Sequence, residues 1–326
     1  LTKPDGSLAD FIPPIRLTRD VSYGKQLEGT GQLAFFDSPT PGASNGEQGF
    51  IELLEAPSFS HTPGFFDQSF LLQLSSSSPG ATIVYTLDGS TPDINNLDGT
   101  SYQYKNSFPR NPGNALGPFL TQSFQSHVYA SAISIEDRSN LPDKLTQIAS
   151  TFHTNPDYLP QSPVPKVTVV QARVYKDGAL SSPVTGGTFF LLPEGQPQDI
   201  PVVSLTIQED LLFGYEDGIY TAGIDFDQWR EANPEADWFS GSWSTRAFNS
   251  IRRGRSSEYP VRFEFFEPGD DKAALNQMAG LRIHGQSSRI ARFKNLRLYA
   301  RKEYGAEGEF THDFFEDDIY GSPLPE

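Results

Sequence analysis

The feature that most constrains this chain is a rhythm of short runs in which apolar and polar residues alternate, each broken within about ten residues by glycine or proline. Successive side chains of a strand point to opposite faces, so an alternating run buries one side of a sheet and has no continuous stripe to offer a helix. Residues 81–87 and 259–266 read this way, and in the second Val261, Phe263 and Phe265 share a face; further strands are expected at 128–135, 166–175, 188–192 and, as an apolar β-branched run, 200–207. The 28 glycines and 26 prolines are enough to close many hairpins, while 25 Phe and 13 Tyr suit a pleated, half-buried surface. A mainly β protein made of β-sandwich modules is expected.

Charge narrows the function. The formal net charge of −16 argues against nucleic-acid binding, which needs a basic face to displace counterions from phosphate. Against that background residues 282–302 form a local basic stretch. With no cysteine, disulfides and thiolate metal sites are ruled out, and the five histidines show no metal-ligand spacing. No apolar run is long enough to span a bilayer. The opening at Leu1 is polar and unlike a signal peptide, so it reads as a processed or excised start.

Three zones separate by pattern. Residues 1–48 are rich in turns and end in FFDSPTPGASN at 35–45. Residues 49–196 read as a β-sandwich in which YTLDGSTP at 85–92 and the Lys176-Asp177-Gly178 signal close hairpins, with 137–163 as a long surface insertion. PEGQP at 193–197 is a linker. In 197–326, residues 209–213 form one helical turn, 227–236 a short helix capped by Asp225 or Asp227, and 273–278 a further short helical segment. The segment 221–257 holds Trp229, Trp238, Trp243 and the run Arg252-Arg253-Gly254-Arg255, fitting either a lid over a site or an insertion.

The third zone carries the chemistry. In RIHGQSSR at 282–289, a turn of Gly285, Gln286, Ser287 and Ser288 can bring backbone N–H groups and hydroxyls near an anion, and Lys294 returns a charge to it. Lys294 shares a strand face with Leu296 and Leu298, so it either snorkels outward or meets an anion. A plain polar hairpin has the same pattern. Asp88 and Asp93 lie in one loop and read as turn residues rather than as glycosidase carboxylates, which work in pairs across a cleft. Asp313, Asp317 and Asp318 read as surface or turn residues.

These motifs resemble known families. RIHGQSSR followed by KNLRLYARKEYG at 294–305, with DIPVVSLTI at 199–207 and the segment 210–220 before it, resembles the start of the spore-coat CotH protein-kinase family. YTLDGSTP, with VQARVYKDG at 170–178 and FFL at 189–191, resembles the fibronectin-like module at the C-terminus of chitobiase and hexosaminidase enzymes. DVSYG at 20–24, LEG at 27–29 and the 35–45 segment resemble the end of a lamin-tail domain.

The resemblances imply a lamin-tail-like piece at 1–48, a chitobiase-like sandwich at 49–196 and the start of an α+β kinase-like domain at 197–326, in an exported or bacterial surface protein. They imply phosphoryl transfer from ATP with Mg²⁺ or Mn²⁺ to a protein acceptor, with Gly285, Ser287, Ser288, Arg289 and Lys294 contacting the nucleotide. The metal-binding and catalytic carboxylates are expected on segments beyond this chain. The competing expectation is a non-enzymatic surface module that binds glycan or protein, using aromatics such as Phe65, Phe66 and the three tryptophans.

Overall fold

The computed structural model describes residues 1–314 apart from 16, 19, 27–30, 46–48, 110–114, 192–198, 237–245 and 306–307. The expected boundaries near 48 and 196, the 193–197 linker, Trp238, Trp243, Asp317 and Asp318 therefore lie outside the described residues. Strand makes up 32% and helix 11%, which places the chain in the mainly β class.

The N-terminal zone contributes one antiparallel pair, β1 (Ser22–Lys25) with β2 (Leu33–Phe36). Ala34, Phe35 and Phe36 are buried in succession, and Phe35 bridges to Phe50, which leads the chain into the next module.

That module is a sandwich. Its short strands are β3 (Glu52–Leu53), β4 (Ser58–Phe59), β5 (Gly64–Phe66), β6 (Phe70–Leu72) and β7 (Leu74–Ser75). They are followed by β8 (Thr82–Thr86), β9 (Thr100–Tyr104), β10 (Leu120–Phe124), β11 (His127–Val128) and β12 (Ile133–Ile135). The last three are β13 (Thr168–Tyr175), β14 (Ala179–Leu180) and β15 (Thr185–Leu191). The main sheet runs β11-β8-β13-β15-β5, antiparallel except where β15 meets β5.

Alternation explains the core. Val170, Ala172 and Val174 of β13 point together onto Leu72, Leu74, Ile133 and Ile135 from the smaller strand pairs. Asp88 behaves as a turn residue: its Oδ1 accepts from the Ser90 N–H at 3.0 Å and its Oδ2 from the Gln125 N–H at 2.8 Å. Asp93 likewise accepts from the Asn95 N–H at 2.9 Å.

The third zone is a four-stranded antiparallel meander, β16 (Val202–Thr206), β17 (Tyr259–Phe266), β18 (Leu275–His284) and β19 (Asn295–Tyr299). Val261, Phe263 and Phe265 lie in one cluster with Leu275, Ala279 and Leu281, and Phe310 and Phe314 pack on it. The short helix expected at 273–278 is instead the start of β18. Pairing sets Leu275 opposite Phe265 and Asn276 opposite Glu264, and cross-strand burial overrides the helical preference of the alanines nearby.

The opposite face of β17 is buried as well. Glu264 is fully enclosed and accepts from the Thr188 N–H at 3.2 Å and the Thr188 hydroxyl at 2.6 Å. Phe266 meets Phe65 and Phe190 with ring centroids at 5.2 and 5.3 Å. Phe65 and Phe66 therefore pack within the fold, each partly buried among other rings.

Two helices complete the zone, α1 (Glu209–Phe213), as expected, and α2 (Gly223–Ala232). The second begins earlier than 227, and neither aspartate caps it. The Asp225 N–H donates to Asn249 Oδ1 at 3.1 Å, while the Asp225 carboxylate is held by Arg252 at 2.8 Å. Asp227 is buried between Lys105, Arg230 and the Tyr215 hydroxyl. Asn249 replaces a local cap because Gly223, with φ of +62°, lets the chain pass so close that a Cβ there would overlap the Asn249 amide.

The sandwich insertion is also not a surface feature throughout. Ile148, Ala149, Ser150 and Thr151 are buried, and Phe108 joins Ala222, Phe226 and Phe248 in one cluster with Phe152 and Ile290 packed on it. Tyr102, Lys105, Phe108, Ser150 and Thr151 thus fasten this part of the sandwich onto the third zone, so that the two pack together.

Candidate phosphate-binding site

The β18–β19 connection is the 3₁₀ turn Ser287–Ile290, entered through Gly285 with φ of +106°. That conformation disfavours any residue with a Cβ, and one built here would lie 2.1 Å from Ser288 Oγ. The turn closes on itself through the Arg289 N–H, which donates to the Gln286 carbonyl at 3.1 Å.

Arg289 points back under the turn. Its Nε donates to the Gly285 carbonyl at 2.8 Å and its Nη1 to the Arg252 carbonyl at 3.1 Å, so the guanidinium is fixed although only 7% of the residue is exposed. It faces a cavity of about 230 Å³ walled by Arg252, Arg253, Arg282, Arg289, Arg297 and Tyr299. Burial, then the charge of Arg253, lowers the Arg289 pKa below the usual guanidinium range. Beside this wall Glu258 is buried and receives Arg301 at 2.8 Å, Arg282 at 3.0 Å and the Tyr304 hydroxyl at 3.0 Å. Burial pushes the Glu258 carboxyl up, but hydrogen bonds from Arg301 and Tyr304 and the adjacent positive charges outweigh it and leave the pKa lowered.

Lys294 goes the other way. It immediately precedes β19 and is 7% exposed, so the snorkelling alternative does not hold. Its ammonium donates to the Ser150 carbonyl at 2.5 Å and the Ala291 carbonyl at 2.7 Å, and lies 5.0 Å from the centre of the Tyr220 ring. Among the described residues no carboxylate pairs with it. Desolvation alone lowers its pKa to about 7. The insertion fastens this arrangement through Ser150 Oγ on the Arg292 carbonyl at 2.6 Å and Thr151 Oγ1 on the Ile290 carbonyl at 2.7 Å.

Residues 72–189 match the family model described as Fn3 associated. No curated protein and no solved structure matches the chain. The matched segment runs from the last residue of β6 into β15, so the similarity takes in most of the sandwich together with the insertion that covers the third zone. This supports a fibronectin-like associated module over 72–189, inside the zone expected at 49–196. The match covers neither 1–48 nor 197–326, whose lamin-tail and CotH resemblances rest on the order of their sequence motifs.

Of the five residues expected at the site, the fold brings Gly285, Ser288 and Arg289 together around the turn. It separates Lys294, which the insertion holds, and Ser287, which opens onto a groove of about 550 Å³ shared with Phe152, His153 and Tyr158. Sequence reasoning missed Arg253 and Arg297 as partners of Arg289. Their signal was the pair of basic runs at 252–255 and 282–302, whose meeting depends on tertiary structure. Among the described residues, no group of three His, Asp or Glu side chains is placed to hold a metal ion. No helix among the described residues is long and apolar enough to cross a membrane.

Proposed function

We propose that residues 197–326 carry the phosphate-contacting part of a CotH-type kinase-like domain, in a modular protein that works on a bacterial surface or is secreted. The observation that carries this reading is Lys294: a lysine buried beside a glycine-entered turn, with no carboxylate among the described residues to offset its charge. A structural lysine in such a place is normally paired, because burying a lone ammonium costs several kcal/mol.

The residues present fit the phosphates of ATP better than its metal. In this reading Gly285, Ser288 and Arg289 would hold the phosphates around the turn, and Ser287 and Lys294, which the fold now directs elsewhere, would turn toward them on binding. Bound ATP with Mg²⁺ or Mn²⁺ would supply the phosphoryl group destined for a protein acceptor. Arg289 orients toward anions from a fixed position, and Lys294 reaches them once its ammonium leaves the Ser150 carbonyl. Thermal shift with ATP and Mg²⁺ or Mn²⁺, on a chain lengthened beyond Glu326, tests the reading: a saturable rise in Tm is expected, and no shift counts against it.

A second reading is a non-enzymatic module that binds glycan or protein at the cell surface. It is favoured by a groove of about 620 Å³ between the sandwich and α1, lined by apolar residues including Leu141, Val164, Val167 and Leu212. Binding on a glycan array without any response to nucleotide would select it.

A further inference from the structure

The arginine cavity holds more positive charge than its own fold offsets. Arg252 is neutralised by Asp225, with Asp217 at 3.8 Å, and Arg282 shares Glu258 with Arg301 and Arg255. Arg253, Arg289 and Arg297 have no carboxylate partner among the described residues, although the chain as a whole carries a net charge of −16. Like charges gathered in a concave wall repel one another and focus a positive potential into the space between them.

Arg289 shows where that potential is directed. Two of its nitrogens are spent on the Gly285, Ser250 and Arg252 carbonyls, and its Nη2 donates to no described residue. A guanidinium locked in place with a free donor loses little freedom when it captures an oxyanion.

The remaining geometry selects the ligand class. A cavity of about 230 Å³ is smaller than the roughly 300–1,000 Å³ of pockets that enclose drug-sized molecules. Two rings reach its wall, the small His284 imidazole and Tyr299, and the larger, Tyr299, is already engaged by Arg282 at 4.1 Å, Arg301 at 4.7 Å and Arg297 at 5.2 Å, which leaves it poorly placed to stack on a sugar or base. What fits is a small, multiply charged group of oxygens that planar guanidinium forks can grip.

We propose that this cavity is a binding site for a phosphate oxyanion, pyrophosphate or a phosphomonoester group, gripped by Arg253, Arg289 and Arg297. The site is separate from Lys294 and does not rest on the phosphoryl-transfer reading.

The test uses the 326-residue chain. Inorganic pyrophosphate is titrated calorimetrically at constant ionic strength into the wild type, Arg253→Ala/Arg297→Ala, and the control Lys3→Ala/Lys272→Ala, which removes two exposed charges elsewhere. Both arginines of the first variant are exposed, so circular dichroism should show an intact fold. Saturable binding is expected, about tenfold or more weaker in the arginine variant and within about twofold of wild type in the control. Binding of ADP with the same arginine dependence would assign the anion to a nucleotide, and pyrophosphate binding without ADP binding would assign it to a free or monoester phosphate. Either supports the site. No saturable binding of pyrophosphate, or equal losses in the two double variants, overturns it. Failure of ATP to bind the lengthened chain while pyrophosphate still binds here would reject the kinase-like reading and leave this site standing.

Discussion

Replacing Lys294 with methionine separates a lysine held in the fold at a cost from one that simply belongs there. Methionine keeps the length and apolar stem and removes the titrating group. Burial lowers the Lys294 pKa from 10.5 to about 7, so between those values the folded state binds fewer protons than the unfolded state. Stability from this group therefore rises with pH across that window, and the full penalty, about 5 kcal/mol, is present below it. At about pH 7 the group is half charged and the penalty is about 4 kcal/mol, falling to about 2 kcal/mol near pH 9. The hydrogen bonds to the Ser150 and Ala291 carbonyls are lost in Lys294→Met at every pH, so they shift the comparison by a constant. Urea unfolding of both proteins at the two pH values should show wild type gaining about 2 kcal/mol on the variant. A difference constant to within about 0.5 kcal/mol would mean a lysine with an ordinary pKa, hydrated or paired in the fold, and would refute the reasoning.

Other substitutions probe what joins the modules. Lys105→Met leaves Asp227 buried with Arg230 and the Tyr215 hydroxyl alone, and should cost about 3 kcal/mol in chemical denaturation. Glu264 has its pKa raised by burial, so the folded state holds its proton more tightly and stability is lost as pH rises through the interval above 4.5. Glu264→Gln should flatten that decline in a pH series of unfolding midpoints. In Gly187→Ala the new Cβ would lie 2.4 Å from Pro63 and 2.7 Å from the Glu264 carboxylate, which should lower stability by about 1–3 kcal/mol. A Tm unchanged in Gly187→Ala would show that the two sheets are not in tight contact there.

Local pattern made much of the fold legible. Alternation in 259–266 placed Val261, Phe263 and Phe265 on one face because strand geometry depends on neighbours two residues apart. The turn role of Asp88 followed from the Asp-Gly pair, since its partner Ser90 is local. What the sequence concealed are contacts of long range. Ser150 and Thr151 reach Arg292 and Ile290 across nearly half the chain, which makes the supposed surface insertion a cover for the third zone. The alanines before β18 favour helix locally, and only the partner strand β17 decides against it. At the candidate site, the turn and its glycine were readable from spacing. The opposite directions of Arg289 and Lys294, and the meeting of Arg253 with Arg297, required the packed structure.

The most direct test of the proposed function is phosphoryl transfer by a chain lengthened beyond Glu326, comparing wild type with Lys294→Ala for ATP affinity and for autophosphorylation from γ-labelled ATP. The account predicts ATP-dependent labelling in wild type, with the variant binding ATP about 1.5–3 kcal/mol more weakly, the scale of a charge-assisted hydrogen bond, and losing the label in proportion. Equal affinity and equal labelling in the two proteins would contradict it.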